Sequence, residues 1–138
     1  MIPDTERERL AAAAVAARDH AVAPYSKFHV GAALLADDGR IFTGVNVESA
    51  SYGLTICAER TAVFKALSEG ARRFTAIAVA TDEEKPTPPC GACRQVLWEF
   101  GGNLEIQLAN LQEEKGTHQL KDLLPLPFDA RLLERRTL

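Results

Sequence analysis

Three cysteines constrain this 138-residue chain more than any other feature. Cys57 is followed by Ala58 and Glu59, and Cys90 and Cys93 stand in Pro89-Cys90-Gly91-Ala92-Cys93, with residues 58–89 separating the two groups. An odd number of cysteines cannot pair completely into disulfides. The charged stretch 1–10 and the lack of any apolar run long enough to cross a bilayer predict a cytoplasmic, reducing setting and no membrane partner. Metal binding or catalysis is then the live reading of the thiols, and the fold must bring two distant segments together. The C-x-x-C spacing lets two sulfurs reach one ion. Both groups also precede predicted helices, where free N–H groups and the positive dipole end stabilise thiolate, the form that binds metal.

The periodicity around the thiols predicts an alternation of helices and strands. Thr5 and Glu8 have capping-box spacing ahead of an alanine-rich helix running to Ala17. Phe28–Ala36 and Arg40–Val45 flank Asp38-Gly39 as a β-hairpin. Residues 56–69 carry Ala62, Val63, Ala66 and Leu67 at helical spacing, with Gly70 as a stop. Phe74–Thr81 reads as a buried strand, 84–89 as a proline-rich loop, 90–100 as a helix, 104–109 as a strand and 120–124 as a short helix. The chain length suits one domain over 1–138, an α/β fold with one partly parallel sheet covered by helices on its faces.

Zinc suits soft thiolates, and three protein ligands leave the fourth tetrahedral position open to water, which distinguishes a catalytic from a structural site. Zinc brings the pKa of bound water from about 15.7 toward roughly 7. Three thiolates weaken that effect and leave the centre with a net negative charge, for which Arg60 and Arg94 are the candidate compensating cations. Glu59, two residues past Cys57, points elsewhere on the helix and is better placed beside the metal water than on the metal, as a proton shuttle. A C-x-x-C alone also serves as a redox pair or as half of a structural zinc site. A redox pair has no need of Cys57-x-Glu59, and a structural site needs a fourth ligand that His20, His29 and His118 do not offer at any motif spacing.

With 16 Lys and Arg against 19 Asp and Glu, the net charge of −3 argues against a nucleic-acid partner. From Pro24 to Phe128 the chain resembles the small homotetrameric zinc-dependent cytidine deaminases. The resemblance rests on Pro24–Ala33, Asn46-Val47-Glu48, Cys57–Ala62 and Pro89–Gln95. It implies a three-layer α/β/α sandwich with a mixed, roughly five-stranded sheet. It also implies one Zn²⁺ per chain on Cys57, Cys90 and Cys93, with Glu59 moving protons as cytidine and 2′-deoxycytidine are deaminated in pyrimidine salvage. Phe28 would stack on the pyrimidine, Asn46 and Glu48 would bond the ribose hydroxyls, and the Ala58 backbone would touch the base. Phe128 and Tyr52 would reach across a subunit boundary, making the active sites of a homotetramer composite. Pro88 stands where the family often has Ser or Thr. The alternatives are a deaminase of another small cytosine compound such as an aminonucleoside antibiotic, a polynucleotide-editing deaminase, and a non-catalytic zinc module.

Overall fold

A computed structural model describes residues 2–112 and 115–134; residue 1 and residues 135–138, the ends of the expected 1–138 domain, lie outside the described residues. Five strands, β1 (Val30–Ala36), β2 (Ile41–Val45), β3 (Phe74–Thr81), β4 (Glu105–Asn110) and β5 (Lys115–Gln119), form one sheet in the order β2-β1-β3-β4-β5. Only β3 and β4 are parallel; the other neighbours are antiparallel, so the sheet is mixed as expected. Helix α1 (Asp4–Arg18) lies on one face. Helices α2 (Ala58–Ser68) and α3 (Gly91–Gly101) lie on the other, followed by the short α4 (Leu120–Leu123) and α5 (Arg131–Glu134).

The strand period of two sorts β1 between the two faces. Ala33 and Leu35 meet Leu10, Ala11 and Ala14 of α1, while Ala32 and Leu34 join Ala62, Val63 and Leu97 on the opposite side. All seven residues of β1 are buried, which explains why it reads as a continuous apolar run rather than an alternation. Small residues let the layers close up. A Cβ on Gly44 would lie 2.4 Å from the Ala58 carbonyl oxygen and from the Ala62 nitrogen, so the start of α2 rests directly on β2.

Three of the differences from the sequence reading have a clear physical reason. Helix α1 begins at Asp4 behind an extended Pro3 and has no side-chain cap, so Thr5 and Glu8 lie inside the helix and form no capping box. The first strand starts at Val30 rather than Phe28, because the Asn46 side chain takes the Phe28 carbonyl and the Val30 N–H where a neighbouring strand would. Strand β5 was not expected. Its sequence, Lys-Gly-Thr-His-Gln, is polar and largely exposed, as suits an edge strand, and carries no apolar periodicity.

A partly buried ion pair ties α1 to β4. Arg7 donates from Nε and a terminal nitrogen to Glu105 at 2.9 and 2.7 Å, and these bonds hold the Glu105 carboxyl below its usual range against the effect of burial. A lowered folded-state pKa contributes stability above the unfolded carboxylate value and loses it as pH falls through the folded one. Arg7→Ala is therefore expected to lower the urea midpoint of unfolding at pH 7, with the gap to the parent chain closing below about pH 4. Gly44→Ala pushes α2 off the sheet and is expected to cost about 1–3 kcal/mol in urea unfolding, with weakened metal binding because α2 carries Cys57.

Candidate metal centre and active site

Each functional side chain stands at a boundary between elements, and those boundaries gather at one end of the sheet. Cys57 is the N-cap of α2, Cys90 is the N-cap of α3, and Cys93 lies one turn into α3. The Sγ atoms of Cys57 and Cys90 are 3.9 Å apart, those of Cys90 and Cys93 are 3.5 Å apart, and all three fall within 4.8 Å of one another. A tetrahedral zinc with Zn–S bonds of about 2.3 Å holds two sulfurs about 3.8 Å apart, so the three thiols are positioned for such an ion.

Charge favours thiolate at Cys57. Cys57 receives a bond from Cys93 and another from the Arg60 guanidinium, 3.4 Å away, and these draw its thiol well below the usual range. Cys93 is driven the other way by its bond to Cys57 and by burial. Among the described residues Arg60 Nε is buried without a hydrogen-bond partner, while a terminal nitrogen of the same guanidinium reaches the Cys57 sulfur. The other candidate cation is engaged elsewhere: Arg94 donates to the backbone carbonyls of Pro89 and Leu123, both at 2.8 Å, pinning the loop before α3 and the end of α4.

Cys57 and Cys90 open into a cavity of about 220 Å³ whose wall also includes Phe28, Asn46, Ala58 and Glu59. Glu59, in the first turn of α2, is only 4% exposed. Burial pushes its carboxyl up to about 7, with the Cys57 charge adding to the rise. Such a group both takes and gives protons near neutral pH. Asn46 is buried at the end of β2 and spends its amide on the Phe28 carbonyl, at 2.7 Å, and the Val30 N–H, at 2.9 Å. Glu48 lies outside this cavity, in an adjoining pocket with Tyr25, Ser26 and Tyr52, and Thr55 lines both spaces. It accepts the N–H groups of Tyr25 and Ser26 and the Ser26 hydroxyl, and these bonds, the hydroxyl's foremost, hold its carboxyl below the usual range.

Tyr52 and Phe128 do not line the cavity. Tyr52 is 78% exposed in a single 3₁₀ turn, edge-on to Tyr25. Phe128 is 59% exposed, with its carbonyl bonded to Gln95. Sequence reasoning missed Thr81, Thr87 and Val79 as wall residues. The two threonines bond to each other through their hydroxyls, a pairing between a strand end and a loop for which the sequence carries no signal.

A mixed sheet sandwiched by helices, with three thiols and a buried carboxyl at two helix starts, defines a thiolate–zinc enzyme of the α/β/α class. Comparison with known proteins narrows the class. Residues 4–107 match the profile of the cytidine and deoxycytidylate deaminase zinc-binding region. The chain is 52% identical over 126 residues to the cytidine deaminase of Halalkalibacterium halodurans, covering 91% of this chain and 96% of that one. It is 43% identical over 134 residues to the cytidine deaminase of Mycobacterium tuberculosis, covering 97% and 98%. The crystal structure of cytidine deaminase from Burkholderia pseudomallei superposes with a TM-score of 0.85 at 53% identity, covering 88% of this chain and 98% of that one. The chain belongs to the zinc-dependent cytidine deaminase family, and its cofactor is zinc.

Removing the Arg60 charge is expected to weaken the metal centre. Competition with a chromogenic chelator should show Arg60→Ala binding zinc about 10-fold less tightly than the parent chain; equal affinities would mean that the guanidinium does not compensate the thiolates.

Proposed function

We propose that the chain hydrolyses cytidine and 2′-deoxycytidine to uridine and 2′-deoxyuridine with release of ammonia, serving pyrimidine salvage in the cytoplasm. The observation that carries this reading is the buried Glu59 carboxyl on the wall of the same cavity as the Cys57 and Cys90 thiols. Cys57, Cys90 and Cys93 hold the zinc, which when bound lowers the pKa of water toward neutrality.

Glu59 moves the protons. It accepts one from the attacking water and delivers it to N3 of the cytosine, which makes C4 electrophilic as the water oxygen bonds there. It then passes the second water proton to N4 as the C4–N4 bond breaks and ammonia leaves. Phe28 stacks on the ring, and the Ala58 backbone, at the first position of α2, meets its edge. The apolar walls, Val30 and Val79 among them, exclude bulk water. The sugar extends past Thr55 from the cavity toward the adjoining pocket, so that its hydroxyls meet Asn46 on the cavity wall and Glu48 in the pocket beyond. Tyr52 and Phe128, exposed on one chain, complete the sites of neighbouring chains in a homotetramer.

Purified protein incubated with cytidine and deoxycytidine in parallel is expected to release one ammonia per nucleoside consumed, with about one zinc per chain. Turnover of neither nucleoside by zinc-loaded protein would move the activity to another small cytosine compound, such as an aminonucleoside antibiotic. Glu59→Gln keeps the side-chain shape but cannot carry a proton. It is expected to lower kcat by about 10²- to 10⁴-fold with zinc content and melting temperature preserved, whereas unchanged turnover would remove Glu59 from the proton path.

A further inference from the structure

The segment leading into β1 carries Phe28 on the cavity wall, then His29, then Val30 on the wall again. It is not part of a strand until Val30, so something other than a β-ladder must fix its height over the cavity. One side is held by Asn46, which bonds the Phe28 carbonyl and the Val30 N–H. The other side is held by a residue from a distant part of the chain. Asp82, just past the end of β3, accepts the His29 backbone N–H at 3.0 Å on Oδ2, and His29 Nδ1 lies 2.9 Å from the same oxygen. Its other oxygen, Oδ1, accepts from Arg18 at 2.6 Å.

We propose that Asp82 is a positioning residue for the deamination site. It grips the Phe28–His29 backbone opposite Asn46 and is braced by Arg18, so that the Phe28 ring stays where it stacks on the base. The proposal rests on the reading of Phe28 as the stacking wall.

Two independent features support the clamp. Arg18 closes α1, and the last turn of that helix is seated on the start of β1: a Cβ on Gly31 would lie 2.1 Å from the Ala14 carbonyl oxygen and 2.5 Å from the Arg18 nitrogen. The brace therefore comes from a rigid helix end packed two residues past His29. Thr81, the residue before Asp82, is itself buried in the cavity wall, so the clamp is continuous with the site. Burial works to raise the Asp82 carboxyl, but the His29 bonds and the Arg18 charge outweigh it and keep Asp82 an anion at neutral pH. Arg18 also reaches the exposed Asp19 at 3.1 Å, which leaves Asp82 its shorter contact.

The test compares Asp82→Ala, Asp82→Asn and Phe28→Leu in zinc-loaded protein, measuring kcat, KM for cytidine and melting temperature. Base stacking on an aromatic ring is worth enough that Asp82→Ala should raise KM about 5- to 10-fold while kcat changes less than about 2-fold. Asp82→Asn, which keeps an acceptor for the His29 N–H, should recover part of that loss, and it stands in for the alanine variant if that one folds poorly. Phe28→Leu should raise KM in the same way. A lowered melting temperature with KM unchanged in both Asp82 variants would overturn the clamp and leave a merely structural ion pair. A KM raised by Phe28→Leu but not by either Asp82 variant would overturn the clamp while the stacking reading stands. An unchanged KM in Phe28→Leu would overturn the stacking reading and the proposal with it.

Discussion

Everything at the site depends on two helices beginning at the same place. Helix α3 starts where the parallel strand β3 ends, across the loop through Pro88 and Pro89, and α2 starts where its seat on Gly44 lets it lie flat against β2. Open α/β sheets place ligand sites beyond the carboxyl ends of parallel strands for this geometric reason. Here the second helix start adds its own free N–H groups and dipole to the first. Cys57 and Glu59 share one helix start, so the distance between a metal-binding sulfur and the carboxyl is set by backbone geometry and not by a loop. Cys90 and Cys93 share the other, one turn apart.

That arrangement concentrates negative charge in a buried volume, which needs an explanation. Three thiolates around a divalent ion leave a net negative charge, and Glu59 would add another if it were ionised. Burial answers part of the problem by pushing the Glu59 carboxyl up to about 7, which disfavours its charged form. Arg60, one residue further along α2, answers another part by placing its guanidinium against Cys57. In the proposed mechanism, sulfur ligands that weaken the activation of water would be combined with a Glu59 base whose affinity for the proton is raised, and a strong base matters most when the water is not already deprotonated.

The sequence made the thiols, Glu59 and most of the helices and strands legible, because these carry local signals: motif spacing, apolar periodicity, glycine stops. What it hid was contact between residues far apart in the chain. His29 and Asp82, Phe28 and Asn46, and Arg94 and Leu123 meet only after the sheet has formed, and no short window contains both partners. Arg94 shows the limit well. Its place beside Cys93 made it a charge candidate equal to Arg60, but helical geometry turns the two guanidiniums in different directions, one to sulfur and one to backbone carbonyls. Strand β5 was hidden for the opposite reason, since an edge strand paired on one side has little need of apolar residues.

Glu48 bears on which cytosine compounds fit. If it bonds the sugar, it does so as an anion, because Ser26 and the N–H groups around it hold its carboxyl below the usual range. A hydroxyl donates readily to a carboxylate, whereas a phosphate on the same sugar would bring like charge to within a few ångströms of it, in a chain that is acidic overall. The matched family region spans deaminases of both cytidine and deoxycytidylate. On the proposed reading of Glu48 as a sugar contact, its charge would favour the free nucleoside over the nucleotide, and would disfavour a polynucleotide still more, since phosphates would then flank the sugar on both sides.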